Sequence, residues 1–225
     1  MIELENVAFS YGGANLLEGV TLALQPGSFH FLTGPSGAGK TTLLKLFSMH
    51  LVPSEGSARV FGQDVRQMSR DQVAEARRRL GVVHQDCQFL DHLPVAENVA
   101  LPLAVSGRDA ASEAENIAEL LAWVGLKDQS AALPPYLSGG ERQRAALARA
   151  VVMSPDVILA DEPTGNVDWD MSLRLLQLLV ELNRMGKAVI VATHDLNLIR
   201  SAKNQVSARV LRIKGGQLQV AGSDL

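Results

Sequence analysis

Along this chain two hydrophobic rhythms alternate. Residues 29–34, 80–85, 156–161 and 188–193 are short apolar runs of strand length, the last three almost uninterrupted. Continuous rather than alternating apolarity marks strands buried on both faces, as in a parallel sheet covered by helices. Between these runs apolar residues recur at helical spacing: Leu43, Leu44 and Phe47 in a helix expected to reach about Met49, and Leu173, Leu176, Leu179, Val180 and Leu182 in another. Residues 2–11, 20–27 and 209–222 read as antiparallel strands, the last folded back at Gly215 and Gly216. Strand signal disappears between Gln85 and Asp156, where Ala/Leu-rich helical sequence takes over. The expected architecture is a single α/β domain over 1–225. Residues 1–87 and 156–225 supply a mostly parallel core with an N-terminal antiparallel part, and 88–155 form a helical insert.

Composition narrows this picture. Of 225 residues, 47% are apolar and 20% charged, which suits an ordered domain rather than a disordered chain. Asp and Glu number 24 against 21 Lys and Arg, a net charge of −3, so a nucleic-acid binder driven by bulk positive charge is excluded. Cys87 is the single cysteine. It permits neither an intrachain disulfide nor a cysteine-built zinc site, and it fits a reducing compartment. The acidic N-terminal segment does not read as a secretory leader. No apolar run approaches the ~20 residues of a membrane-spanning helix, so a membrane role is expected to come through a partner.

The first candidate chemistry lies at 34–41, where Gly34, Pro35, Ser36, Gly37, Ala38, Gly39, Lys40 and Thr41 follow an expected strand and open an expected helix. This is the G-x-x-x-x-G-K-[ST] pattern in the context that gives it meaning. Its glycines let successive backbone N–H groups face inward as an anion nest, and the helix adds its positive dipole end. Lys40 is placed to reach β- and γ-phosphates and Thr41 to ligand Mg²⁺. A nucleoside triphosphate site, a P-loop, is the reading; a dinucleotide fingerprint is absent.

Other polar groups close the apolar strands. The run 157–162 ends in Asp161 and Glu162, and a strand end in a parallel sheet lies beside the phosphate crevice. Asp161 can then hold the hydration shell of Mg²⁺, while Glu162 polarises an attacking water, which favours hydrolysis over binding alone. His194 ends the run 188–193 and is a candidate for the γ-phosphate or that water; an ordinary surface histidine is the competing reading. Gln85 ends the run 80–85, where its amide can ligand Mg²⁺ or orient water, and His84 reads as structural. Arg77, Arg78 and Arg79 read as a solvated helix end, Arg142, Arg144 and Arg149 as helix-face or interface charges, and Trp123 and Trp169 as packing residues.

Residues 137–144, Leu-Ser-Gly-Gly-Glu-Arg-Gln-Arg, place Ser138 three positions before Glu141, the spacing of a capping box. Ser-Gly-Gly at a helix start is also a second anion-seeking site. One set of metal ligands and two such helix starts suggest subunits that cover one another's nucleotide.

Taken together, residues 34–41, Gln85, 157–163, 137–144 and 193–195 resemble the ATP-binding-cassette ATPases, in that family's order and across nearly the whole chain. The resemblance implies a homodimer, head to tail, sandwiching two ATP molecules with Mg²⁺. It assigns Ser138, Gly139 and Gly140 to the partner's γ-phosphate, with Glu141 in the same signature, Glu162 to the general base, His194 to a switch role and Gln85 to sensing a membrane partner. It places Asp168 in the loop where subunits meet and Thr42 among the phosphate contacts. Tyr11 matches the aromatic that stacks on adenine, with a core strand tyrosine as the equal alternative. Residues 33–46, 160–166 and 193–199 look most like the branch serving cell division, lipoprotein release and export, and closest to its cell-division member. That likeness implies a peripheral protein at the cytoplasmic face of the bacterial inner membrane. A permease-like integral membrane partner would dock near Gln85 and the helical insert. Signalling to cell-wall hydrolases, a transport motor and a nucleotide-gated scaffold with little turnover are the functions left open. DNA-repair relatives are set aside, because the chain has no room for their long inserts.

Overall fold

In the computed structural model, which describes residues 1–109 and 111–221, ten strands and seven α-helices are arranged around two sheets. The larger sheet contains β3 (Phe29–Thr33), β6 (Leu80–Val83), β7 (Val157–Asp161), β8 (Ala188–Ala192), β9 (Ala208–Lys214) and β10 (Gln217–Val220), in the order β10-β9-β3-β8-β7-β6. All of its pairings are parallel except the β9–β10 hairpin. Every residue of β3, β7 and β8 is buried. Strand periodicity sends alternate side chains to opposite faces, and the two faces build separate cores. Phe29, Phe31, Ile158, Ala160, Val189 and Val191 join one, whereas Leu32, Val157, Leu159, Ala188, Ile190 and Ala192 join the other.

The second core explains the N-terminal half. Strands β1 (Ile2–Phe9), β2 (Leu17–Leu24), β4 (Glu55–Val60) and β5 (Gln63–Asp64) form an antiparallel sheet in the order β2-β1-β4-β5. Ile2, Leu4, Val20 and Val60 face α1 (Lys40–Phe47), which buries Leu43, Leu44, Leu46 and Phe47 between the two sheets. The helix ends at Phe47 rather than Met49, where Met49 turns to a left-handed φ of 58°, and the Arg77 guanidinium takes the carbonyls just beyond that end. Arg77 Nε donates to Ser48 O at 3.3 Å and Nη2 to Met49 O at 2.8 Å, where carbonyls and the negative dipole end await a cation. Arg77 ends α2 (Arg70–Arg78), itself started by a Ser69–Gln72 capping box. Arg79 pairs with Asp156 at 2.7 Å and lies 3.7 Å over the Phe61 ring. All three arginines stay exposed, as a solvated helix end requires, but Arg77 and Arg79 also have these specific partners, while Arg78 meets Glu75 on the surface.

The C-terminal expectation needs one correction. β9 and β10 do form a hairpin at Gly215 and Gly216, but β9 also runs parallel to β3, from Phe29 opposite Ala208 to Thr33 opposite Arg212. The alternating burial of β9 suits an antiparallel meander equally well, so periodicity alone leaves its second partner open. Gly222, the end of the expected strand, and the rest of the chain to Leu225 lie outside the described residues, as does Ala110 within the insert.

Between β6 and β7 the chain forms α3 (Val95–Val105), α4 (Ala114–Trp123), a 3₁₀ turn at Pro134–Tyr136 and α5 (Gly139–Val151). Asn98, fully buried on α3, holds the approach to that helix: its amide bonds the N–H and carbonyl of Leu90 and the carbonyls of Leu93 and Pro94. Helix α5 lies directly on β6 at Gly81, where a Cβ would stand 2.4 Å from the Ala150 carbonyl oxygen. The last two helices, α6 (Trp169–Arg184) and α7 (Leu196–Lys203), bury Leu175, Leu176, Leu179, Leu198 and Ile199 over the first core. Trp123 and Trp169 are 52% and 44% exposed, so neither is the packing residue expected.

Candidate active site

The carboxyl ends of β3, β7 and β8, with the loop after β6, surround a cleft of about 590 Å³. Its floor is the loop 34–39. Gly34 and Gly39 have φ of 148° and 105°, which side chains rarely adopt, and a Cβ on Gly39 would lie 2.9 Å from Leu17 Cδ2. The loop thus turns tightly against β2, and Leu16 from the same strand's approach lines the cleft, a wall residue without a chemical signal in the sequence. Lys40 Nζ curls back to donate to Gly34 O at 2.9 Å and Pro35 O at 3.3 Å. Gly34, Pro35, Ser36, Gly37, Gly39, Lys40, Thr41 and Thr42 all border the cleft. Ala38 instead packs toward the N-terminal core. Tyr11 lies past the end of β1, 63% exposed, with its hydroxyl 3.2 Å from Thr42 Oγ1 and its ring edge-on to Phe9. That position overturns the core-tyrosine alternative.

On the acidic side, Thr41 Oγ1 donates to Asp161 Oδ2 at 2.6 Å. Asp161 is buried, and burial pushes its carboxyl pKa up against the opposing pull of the Thr41 hydrogen bond. A hydroxyl, a desolvated carboxylate and the Gln85 amide at one cleft wall are hard oxygen donors, few in number. They fit Mg²⁺, which keeps several of its own waters.

Glu162 has φ of 48°, a left-handed backbone that a glutamate seldom takes. Its N–H donates to Ala192 O at 2.8 Å, and its carbonyl accepts from Gly165 N–H at 3.1 Å and Gln143 Nε2 at 2.7 Å. Its carboxylate Oε1 meets His194 Nδ1 at 2.8 Å. An ionised carboxylate only accepts, so that ring nitrogen carries a proton toward it. The Glu162 side chain is 14% exposed and that of His194 77%. The histidine expected to face phosphate or water is thus engaged with the neighbouring acid, and both border the cleft.

Gln85 is also carried differently from the expectation. β6 ends at Val83, opposite Ala160, so Gln85 belongs to a loop and not to a strand end. Helix α5 holds that loop: Arg142 Nη2 donates to Cys87 O at 3.2 Å and Arg149 Nη1 to Gln88 O at 2.7 Å. The Phe89 ring lies 5.4 Å from the Arg142 guanidinium and 4.7 Å from that of Arg149. The two arginines are therefore buttresses of this loop rather than free surface charges. His84 packs edge-on to His50, 6.0 Å between ring centres.

Ser138 caps α5. It accepts from Glu141 N–H at 3.3 Å, and the Glu141 carboxylate takes the Ser138 N–H at 2.8 Å and hydroxyl at 2.7 Å. Those two hydrogen bonds, side chain first, hold the Glu141 pKa below the usual carboxylate range. Ser138, Gly139, Gly140 and Glu141 do not line the phosphate-loop cleft. Asp168 caps α6, accepting from Met171 N–H at 2.9 Å; an Asp just before a long amphipathic run was the available signal for that role. Gln143 and Asn166, bonded to each other at 3.3 Å behind Glu162, fall within the motifs 137–144 and 160–166, where the sequence gives neither a role of its own.

A phosphate-cradling loop beside a hard-donor pair, at the carboxyl ends of parallel strands, defines the class of P-loop nucleoside triphosphatases. The ABC transporter family model matches residues 17–165. The cell division ATP-binding protein FtsE of Escherichia coli (strain K12) is 44% identical over 219 residues, covering 97% of each chain. The FtsE of Bacillus subtilis (strain 168) is 38% identical over 209 residues, covering 92% of each. Among solved structures, a dimeric post-hydrolysis state of an ATP-binding cassette bound to ADP and Pi superposes with a TM-score of 0.89. It is 32% identical, with 99% of this chain and 100% of that one covered. A dimeric bacterial ABC transporter cassette gives 0.87 at 34% identity, covering 97% of each. The chain belongs to the ATP-binding-cassette family of ATPases.

Proposed function

We propose that this chain is the ATP-binding and hydrolysing subunit of an FtsEX-type complex in bacterial cell division. It would couple a head-to-tail ATP-sandwich homodimer to an FtsX-like membrane partner that controls cell-wall hydrolysis. The observation that carries the chemistry is the meeting of Glu162, bonded to His194, with the Thr41–Asp161 pair in one phosphate-loop cleft. Full-length likeness to FtsE from several bacteria supports the cellular role.

Backbone N–H groups of the loop and the α1 dipole bind the β- and γ-phosphates, with Lys40 turning from its carbonyl partners to the same oxygens. Thr41 and Gln85, with Asp161 acting through water, would hold Mg²⁺, which when bound would neutralise charge on the phosphates. Glu162 accepts a proton from the attacking water as the bond to the γ-phosphoryl group forms and ADP leaves. His194, donating from Nδ1, fixes the orientation of that carboxylate. Tyr11, exposed beside Thr42, is placed to stack on adenine. The second anion site, Ser138, Gly139, Gly140 and Glu141, lies outside its own chain's cleft, which supports its use on the nucleotide of a second copy; Asp168 starts α6 at the same face.

No helix among the described residues is long and apolar enough to cross a membrane, so attachment at the cytoplasmic face of the inner membrane falls to the partner. A groove of about 350 Å³, lined by Arg78, Leu80, Val82, Pro102, Val105 and Met153, offers that partner a largely apolar seat between the 1–87/156–225 core and the 88–155 insert.

Glu162→Gln tests the reading. It should bind MgATP and lose hydrolysis by about 10²–10⁴-fold, the usual share of a general base; turnover within tenfold of the parent removes Glu162 from that role. The tagged variant, purified from native membranes in mild detergent with MgATP, should retain an FtsX-like protein. Recovery of a lipoprotein-release or export permease would reassign the same chemistry to a transport motor.

A further inference from the structure

Helix α5 reaches the base from behind. Gln143 sits in its second turn, 1% exposed, on the buried stripe shared with Leu147 and Val151. A buried amide must spend its donors and acceptor on partners. Gln143 donates Nε2 to the Glu162 carbonyl at 2.7 Å and accepts at Oε1 from Asn166 Nδ2 at 3.3 Å. We infer that Gln143 is a positioning residue for hydrolysis, fixing the peptide after Glu162 so that the carboxylate stays aimed into the cleft. This inference rests on the reading of Glu162 as the base.

The backbone at Glu162 gives such a tether something to do. At φ 48° the residue occupies a conformation that L side chains avoid, and Pro163 biases its predecessor toward extended backbone instead. A conformation disfavoured twice persists only where neighbours over-determine it. The Ala192 bond fixes the N–H of residue 162 and the His194 contact fixes its carboxylate. The following carbonyl has Gly165 N–H at 3.1 Å, a bond within the same turn that moves with it, and Gln143 at 2.7 Å from a separate helix. Gln143 is therefore the external anchor of that peptide. The helix is close enough to transmit its own position: a Cβ on Gly140 would stand 3.1 Å from Asn166 O and 3.2 Å from Val167 Cγ1. The same helix begins at Ser138 and, through Arg142 and Arg149, holds the loop of Gln85. One rigid element thus mounts the second anion site, the Gln85 loop and the backbone of the base.

The test uses the full chain with MgATP and two near-isosteric variants. Gln143→Met removes both bonds. Gln143→Leu also removes both bonds, with a shorter side chain, and it serves if the methionine variant does not fold. Each should lower kcat by about 10–100-fold, the scale of an ångström-level misplacement of a reacting group, with KM and ATP affinity within about threefold. Combined with Glu162→Gln, neither should reduce the residual rate further, because residues acting through one group are non-additive. A kcat within threefold of the parent in a folded variant overturns the inference. So does an equal loss in the Glu162→Gln background, which marks a general packing role. If Glu162→Gln alone retains turnover, it is the base reading that fails, and this inference with it.

Discussion

Replacing Gly81 by alanine isolates the contact on which α5 rests. The new Cβ would meet Ala150 O at 2.4 Å and Pro155 Cγ at 2.9 Å. Ordinary carbon–oxygen contacts begin near about 3.3 Å, so helix and strand must part by roughly 0.9 Å. The obstruction is main-chain carbonyl, which cannot rotate away as a flexible side chain does, so the displacement falls on α5 as a body. Overpacking of this kind costs about 1–3 kcal/mol. For a chain of this size each kcal/mol lowers the melting temperature by about 2–4 °C, giving a fall of about 2–12 °C. Since α5 also carries Gln143, Arg142 and Arg149, hydrolysis should drop more than ATP affinity. Thermal unfolding, nucleotide titration and steady-state phosphate release on one preparation measure all three. Gly13→Ala, whose Cβ meets nothing within 4 Å, is the control. A Gly81→Ala protein melting within about 1 °C of the parent would refute the close packing of α5 on β6.

Two further outcomes are expected. Lys40→Ala removes a charged donor from the phosphate loop and should weaken ATP binding by about 10–100-fold, the worth of one charge-assisted hydrogen bond; equilibrium titration at fixed Mg²⁺ checks it, and unchanged affinity refutes it. His30, buried on β3 opposite Arg209 with its Nδ1 lacking a partner, has its pKa lowered by burial first and by that arginine second. The unfolded chain therefore binds the extra proton first, and stability should decline as pH falls below about 6.5. His30→Leu should flatten the stability profile between pH 7 and 5, by up to about 1.4 kcal/mol per pH unit. Parallel profiles for the two proteins in urea would refute it.

The sequence pattern exposes the parts of this molecule that need no partner to be recognised. β7 and β8 are legible because burial on both faces leaves a nearly unbroken apolar run. Lys40, Thr41, Asp161 and Glu162 are legible because their types and spacing have a chemical meaning in a phosphate site. What escaped depends on neighbours distant in sequence. β9 needs β3 to define its direction, the loop after β6 needs the α5 arginines that hold Cys87 and Gln88, and Arg77 finds the end of a helix nearly thirty residues earlier. Gln143 left a fainter mark, a polar residue on an otherwise Ala/Leu stripe of α5. That pattern asks for a buried partner, and only the folded chain identifies it as the Glu162 carbonyl.

With Glu162 as the base proposed above, the left-handed backbone at residue 162 also sets stability against catalysis at a single codon. Glycine takes that conformation freely, and asparagine and aspartate tolerate it far better than glutamate. Each would relieve about 1–2 kcal/mol of local strain, while removing the carboxylate or withdrawing it by one methylene. A lineage selected for abundance alone would therefore drift toward sturdier, idle copies, and a screen for thermostable variants would enrich the same substitutions. Glutamate persists at 162 only while turnover is itself under selection.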